Sequence, residues 1–153
     1  MLTKTWDYLI LTAANELQAE LYRDQLATRQ ELGLLGDFRN WLVVADPEGK
    51  RVGSGGSTVC CLLDVLNAQF AMERTGLTDP DAWRVRLGQL RILIVHAGGD
   101  SRRLPAYGPC GKVFIPLPCE SDSALGMTLF DYQLPAYSAL PARPSGCGQV
   151  VIT

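Results

Sequence analysis

Residues 91–105 read RILIVHAGGDSRRLP and join the most apolar run of the chain to a glycine-rich turn. A short apolar run bounded by polar residues is typical of a strand that is buried on both faces of a parallel sheet. We therefore predict a β-strand over 91–96, with Gly98 and Gly99 at its carboxyl end. Ligands of open α/β sheets bind at the carboxyl ends of strands, so this turn is the first candidate for a functional site.

Other strands are predicted on both sides of this segment. The apolar runs 8–14 and 41–46 have the same character, and 149–153 begins a further strand. Residues 113–118 are predicted to be extended, although prolines interrupt them. Because the sequence stops inside its last strand, we expect residues 1–153 to be the N-terminal part of a single domain, with a sheet that is incomplete at the C-terminus.

Helical periodicity lies between these strands. Apolar residues recur at helical spacing from about 15 to 30, and Asn15 is a candidate N-cap. Further helices are predicted over 59–71 and over 127–137, the second ending near Pro135. The alternation of strands and helices predicts an α/β fold with a mainly parallel sheet.

Size and charge restrict the class of protein. With 153 residues the chain is long enough for one domain. Lys and Arg number 14 against 16 Asp and Glu, a net charge of −2, and without a basic run we expect no nucleic-acid partner. No apolar stretch reaches the roughly 18 residues of a membrane span, and the first residues lack the features of a signal peptide. We therefore expect no membrane partner and a cytoplasmic location.

A second glycine-rich segment, VGSGGST at residues 52–58, is predicted to be a loop before the helix that starts at 59. Gly53, Gly55, Gly56 and Ser57 could present backbone amides to an anion, because glycine allows close approach. The segment is neither a P-loop nor a G-x-G-x-x-G fingerprint. A tight turn that packs a helix on the sheet explains it equally well, so both interpretations stay open.

Cationic residues follow the turn at Gly98 and Gly99. Arg103 comes shortly after the glycines, and Lys112 follows in an otherwise apolar stretch. This set suits a polyphosphate: glycine amides surround the oxygens, the arginine binds them with two parallel N–H groups, and the lysine neutralises charge. The alternatives are a surface salt bridge for Arg103 and a solvated strand end for Lys112. His96 and the turn residue Asp46 are interpreted as structural.

These segments together resemble a known family. HAGGDSRRLP at 96–105 with GKVF at 111–114 resembles the signature of sugar-1-phosphate nucleotidyltransferases. With WDYLILTAA at 6–14, DPEG at 46–49 and GSGGST at 53–58, the chain is similar to the GDP-L-fucose pyrophosphorylase (fucose-1-phosphate guanylyltransferase) family. That family includes the front domain of bifunctional fucokinase/GDP-fucose pyrophosphorylases. The resemblance covers nearly the whole chain and implies a Rossmann-like nucleotidyltransferase core that uses GTP and Mg²⁺.

The resemblance also implies roles for single residues. Gly98, Gly99 and Ser101 would line the triphosphate. Arg103 would hold the leaving pyrophosphate, and Lys112 would meet the phosphates at the reacting centre.

Two departures from the family pattern bear on these roles. The broader signature often has proline before the lysine, where this chain has Gly111. The acidic metal-binding turn of the family would lie beyond Thr153, so no metal ligand is assigned within the chain and the Mg²⁺ ligand is expected downstream.

The expected activity follows from the resemblance. It implies a guanylyltransferase of L-fucose metabolism that joins L-fucose 1-phosphate and GTP to give GDP-fucose and pyrophosphate. Because the glycine-rich segment here precedes the phosphate loop, reversing the common order, we expect Gly53–Ser57 beside the nucleobase. The alternatives are a noncatalytic nucleotide-binding or interaction module, and the same chemistry with another sugar or nucleotide. The 153-residue chain alone is expected to be inactive and to self-associate through its incomplete sheet edge.

Overall fold

Parallel strands form the centre of the structure. A computed structural model describes residues 6–71, 78–99, 111–141 and 147–153. Within these ranges the strands are β1 (Trp6–Ala13), β2 (Phe38–Ala45), β3 (Arg91–Val95) and β4 (Gln149–Ile152). They pair in the order β2-β1-β3-β4, and each pair is parallel. The predicted α/β fold with a mainly parallel sheet is confirmed.

Helices cover both faces of this sheet. They are α1 (Glu16–Glu31), α2 (Gly53–Phe70), α3 (Pro80–Leu87) and α4 (Leu129–Ser138), with short 3₁₀ turns at Pro47–Gly49 and Lys112–Phe114. Because successive strand residues point to opposite faces, Leu9 and Leu11 pack in one core with α1 and α4. Ile10 packs in a second core with α2. No helix in these described ranges is long and apolar enough to cross a membrane.

The first helix begins where the sequence predicts. The Asn15 side chain accepts a hydrogen bond from the Gln18 amide at 2.9 Å, so the N-cap is confirmed. The preceding strand, β1, lies between β2 and β3 in the sheet. The next strand in sequence, β2, pairs on one side of β1, and β3 pairs on its other side. Such a reversal of strand order opens a crevice at the carboxyl ends of the two central strands, which are β1 and β3 here.

The second glycine-rich segment is not a loop. Helix α2 begins at Gly53 rather than at 59, so the segment forms its first turns. Glycine in a helix costs about 0.5–1 kcal/mol relative to alanine, so local propensity opposes this start. Tertiary contacts offset that cost, because Ser57 is buried and donates a hydrogen bond to Asp46.

The prediction of an extended segment over 113–118 is wrong at its start. Residues 112–114 form a 3₁₀ turn instead of extended chain, and Pro116 makes a single antiparallel bridge to Thr128. Helix α4 ends at Ser138, within one residue of the predicted range 127–137, and it includes Pro135. Its Phe130 and Leu134 are buried in the core.

Candidate functional site

A cavity of about 290 Å³ opens at the carboxyl ends of the strands. Its walls come from the ends of β1, β2 and β3, from the first turns of α2 and from the turn that carries Lys112. The lining residues are Thr12, Ala13, Ala14, Asp46, Gly49, Arg51, Gly53, Ser54, Ser57, His96, Gly98, Gly99 and Lys112. The cavity therefore lies at the crevice that the strand order predicts.

Several predicted site residues meet at this cavity. Gly98, Gly99 and Lys112 line it together with Gly53 and Ser57, although they come from two separate glycine-rich segments. Gly55 and Gly56 lie in the same helical turns but do not contribute to the lining. Ser101 and Arg103 lie outside the described residues.

The glycines of the cavity are present for different physical reasons. A Cβ on Gly98 would lie 3.0 Å from the Ala13 carbonyl carbon, so Gly98 lets β3 pass close to the end of β1. Gly53 and Gly99 have positive φ angles of 74° and 126°, and a Cβ on either would meet open space. At these two positions glycine is required by the backbone, and the space beside them is left free.

The start of α2 lies at the cavity and has no side-chain cap within the described part of the chain. Val52 is its N-cap residue and makes no side-chain capping hydrogen bond. The first amides of a helix lack intrahelical acceptors and carry partial positive charge. Gly53 and Ser54 line the cavity, so these amides are placed where they can bind an anion.

Two side-chain contacts fix this helix start against the sheet. The Ser57 hydroxyl donates to an Asp46 carboxylate oxygen at 2.7 Å, which joins α2 to the end of β2. The Thr58 hydroxyl lies 3.1 Å from His96 Nε2 and joins α2 to the end of β3. Thr58 already donates its proton to the Ser54 carbonyl oxygen, so we assign His96 as the Nε2–H tautomer that donates to Thr58. The interpretation of His96 as a hydrogen-bonded structural residue agrees with this contact.

The charges around His96 favour its neutral form. Burial lowers the pKa of His96, and the positive charge of Lys112 lowers this pKa further, against a smaller opposite effect of Asp46. Lys112 also lines the cavity. Lys112 and Arg51 contribute two cations to the lining, and Asp46 is its one carboxylate among the described residues. This excess of positive over negative charge in the lining favours an anionic ligand.

Asp46 and Arg51 are charged residues of the site that the sequence analysis does not assign to it. The position of Asp46 is the more informative of the two. Its position directly after β2 was visible, since residues at the carboxyl ends of parallel strands share one edge of the sheet. Its partner Ser57 is eleven positions away in sequence, and that pairing depends on the unexpected early start of α2.

A larger cavity of about 380 Å³ lies elsewhere, beside the loop that precedes β2. Leu34, Leu35, Met127, Leu134 and Pro135 make its lining mainly apolar. It carries no cation among its lining residues. The smaller cavity at the strand ends is therefore the better candidate for an anion site despite its size.

Comparison with known proteins points to one family. Residues 85–153, which include β3, Lys112 and β4, match the model of the fucose pyrophosphorylase domain. The chain is 38% identical over 120 residues to a bifunctional fucokinase/GDP-fucose pyrophosphorylase of Arabidopsis thaliana, and the match covers 74% of this chain and 11% of the relative. The resemblance to the fucose pyrophosphorylase family is thereby confirmed. No solved structure matches the chain.

Other relatives of this family give the same result. A fucose-1-phosphate guanylyltransferase of Homo sapiens is 37% identical over 116 residues, which are 74% of this chain and 16% of the relative. An L-fucokinase/L-fucose-1-P guanylyltransferase of Bacteroides fragilis is 36% identical over 104 residues, covering 66% of this chain and 10% of the relative. The chain thus spans between a tenth and a sixth of the length of the curated relatives it matches.

Proposed function

We propose that this chain is the nucleotide-binding part of a guanylyltransferase that makes GDP-L-fucose from GTP and L-fucose 1-phosphate. The observation that carries the proposal is the meeting of Lys112, Gly98 and Gly99 with the uncapped start of α2 at one cavity. The relatives support the choice of substrates, since those from Homo sapiens and Bacteroides fragilis are named as fucose-1-phosphate guanylyltransferases.

The proposed reaction needs little covalent help from the protein. An oxygen of the sugar phosphate attacks the α-phosphorus of GTP, the bond to the bridging oxygen of the β-phosphate breaks, and pyrophosphate leaves with that oxygen. Positioning and charge neutralisation account for most of such catalysis. The attacking phosphate is already an anion, so no general base is required, which agrees with the engagement of His96 Nε2 by Thr58.

Lys112 and the glycine turn are proposed to hold the triphosphate. Lys112 is exposed at the cavity and supplies a compact positive charge. Gly98, Gly99 and Ser101 contact the phosphate oxygens in this proposal, and Arg103 binds the leaving pyrophosphate. For Ser101 and Arg103 the proposal rests on the family resemblance.

The start of α2 is proposed to lie beside the guanine base or its ribose. Gly53 and Ser57 border the same cavity as the glycine turn, and the space beside Gly53 and Gly55 is free. Glycine at these positions leaves room for a flat ligand to lie close to the backbone. Gly56 differs from these two glycines, because a Cβ at this position would lie 2.8 Å from the Val52 Cβ.

Mg²⁺ is the proposed cofactor. It commonly binds through phosphate oxygens with one or two carboxylates. The described residues contain no group of three His, Cys, Asp or Glu side chains that could hold a metal ion. We propose that carboxylate ligands of the ion lie elsewhere in the protein. When bound with GTP, the ion would neutralise phosphate charge. A cytoplasmic location remains a prediction.

Pyrophosphate release by the complete protein tests the proposal. The assay uses GTP and Mg²⁺ with L-fucose 1-phosphate, and in parallel with mannose 1-phosphate, glucose 1-phosphate and galactose 1-phosphate. The proposal predicts release that depends on L-fucose 1-phosphate and on GTP, with ATP and UTP as much poorer substrates. GTP binding without release of pyrophosphate in the presence of any of these sugar phosphates would instead favour a noncatalytic nucleotide-binding module.

A further inference from the structure

Tyr22 of α1 contacts both flanks of the segment between the glycine turn and Lys112. Its hydroxyl donates a hydrogen bond of 3.2 Å to the carbonyl oxygen of Ala97, which directly precedes Gly98. Its ring packs edge-on against Phe114, with the centroids 5.3 Å apart. Only 1% of Tyr22 is exposed, so these contacts are made inside the core.

Gly111 completes the contact with Tyr22. A Cβ at this position would overlap with the Tyr22 hydroxyl and ring, and the φ angle of Gly111 is 69°. Proline cannot adopt this φ, because its ring fixes φ near −65°. Gly111 replaces the proline that is common in related signatures, and the structure explains the change: the backbone turns left-handed here and passes against Tyr22.

Phe114 is held from a second direction by Arg29. The Arg29 guanidinium carbon lies 4.8 Å from the centroid of the Phe114 ring. Arg29 is 1% exposed and binds both carboxylate oxygens of Asp131, at 2.6 and 2.8 Å. Tyr22 and Arg29 lie seven residues apart on α1 and therefore on one face of the helix, so this face holds the turn that carries Lys112.

We propose that Tyr22 is a positioning residue that sets the placement of Lys112 relative to Gly98 and Gly99. It does not line the cavity and acts through Ala97 on one side and through Gly111 and Phe114 on the other. Burial raises the pKa of Tyr22 to about 12, so the hydroxyl keeps its proton and remains a donor at neutral pH. The inference rests on the proposed function to the extent that the cavity binds phosphates.

The test compares Tyr22→Phe with Tyr8→Phe. Both tyrosines are buried and each hydroxyl makes one hydrogen bond, but the Tyr8 hydroxyl accepts from Gln69 in the other core. Binding of GTP and of inorganic tripolyphosphate, each with Mg²⁺, is measured by calorimetry, and thermal unfolding is measured for the same samples.

Tyr22→Phe is expected to raise the dissociation constant of tripolyphosphate by about three- to tenfold, the loss expected for one hydrogen bond, while Tyr8→Phe changes it less than about twofold. Both variants are expected to lower Tm by a similar few degrees. Equal affinities of the two variants would overturn the inference and leave Tyr22 as a core residue.

The two ligands separate this inference from the proposed function. Wild-type protein that binds tripolyphosphate but not GTP would contradict the guanylyltransferase proposal, and the Tyr22 comparison would still be decided by tripolyphosphate. Wild-type protein that binds neither ligand would overturn both. The expected result is binding of both ligands, with both weakened in parallel by Tyr22→Phe.

Discussion

The Ser57 hydroxyl lies 2.7 Å from a carboxylate oxygen of Asp46 and donates a hydrogen bond to it. The contact joins the first turns of α2 to the end of β2, at the border of the cavity. A glycine-rich helix start has little intrinsic stability, so this bond and the contact between Thr58 and His96 hold it in place.

Ser57→Ala is expected to weaken both the fold and nucleotide binding. Loss of this partly buried donor to a carboxylate should lower the free energy of unfolding by about 1–2 kcal/mol. GTP affinity should fall as well, because the start of α2 loses the hydrogen bond that fixes it to Asp46. Calorimetry and chemical denaturation check this. Ser138→Ala is the control, since that exposed hydroxyl donates to the Pro135 carbonyl away from the cavity. An unchanged GTP affinity in Ser57→Ala would remove this helix start from the binding site.

Lys112→Met is expected to weaken phosphate binding while the fold survives. Methionine keeps most of the aliphatic stem and removes the charge, which should cost about tenfold or more in tripolyphosphate affinity. Lys112 is exposed, whereas Val113 and Phe114 are buried, so stability should change little. Arg84→Met on α3 removes another exposed charge and serves as the control. Parallel losses of affinity and Tm in Lys112→Met would indicate a structural role instead.

Arg103→Ala is expected to reduce turnover of the complete protein strongly. Removal of one preorganised donor to developing negative charge costs about 2–4 kcal/mol in the transition state. Pyrophosphate release measures the effect. Arg102→Ala is a matched control, because it removes the same charge one residue away. Equal rates for the two variants would contradict the assignment of Arg103.

Self-association of the 153-residue chain is expected through β4. This strand pairs only with β3 among the described strands, which leaves one edge open. Val150 and Ile152 are 42% and 52% exposed on it. Open edges and uncovered apolar side chains favour association. Light scattering should show oligomers that Ile152→Lys reduces. A monomer at high protein concentration would contradict association through the edge of β4.

The strands and the N-cap could be predicted because their signals are local. The apolar run over 91–96 and the cap at Asn15 each need only neighbouring residues, and both agree with the structure. Helix α3 has a local signal as well, with Asp79 as N-cap followed by Pro80.

The remaining differences come from contacts between distant segments. Helix α2 starts at Gly53, and its Ser57 donates a hydrogen bond to Asp46 at the end of β2. This contact is not visible from local propensity. Charge and spacing predict the glycine turn and Lys112 as parts of the site. The place of Asp46 beside them depends on the strand order, which is not visible in the sequence.

His96 offers a direct probe of the cavity, because it is the chain's single histidine. Its pKa lies below the ordinary value of 6.5 owing to burial and to Lys112. Between this lowered pKa and 6.5 the unfolded chain binds more protons than the folded one. The contribution of His96 to stability is therefore present above 6.5 and is lost as the pH falls below it.

The pH titration of the His96 imidazole signal by NMR, with and without saturating GTP and Mg²⁺, tests most directly whether this cavity is the nucleotide site. Phosphates bound beside Lys112 bring negative charge close to the ring and offset the lysine, so the pKa of His96 is expected to rise on binding. Tripolyphosphate should have the same effect. Saturable GTP binding that leaves both the His96 signal and its pKa unchanged would place the nucleotide elsewhere and contradict the account.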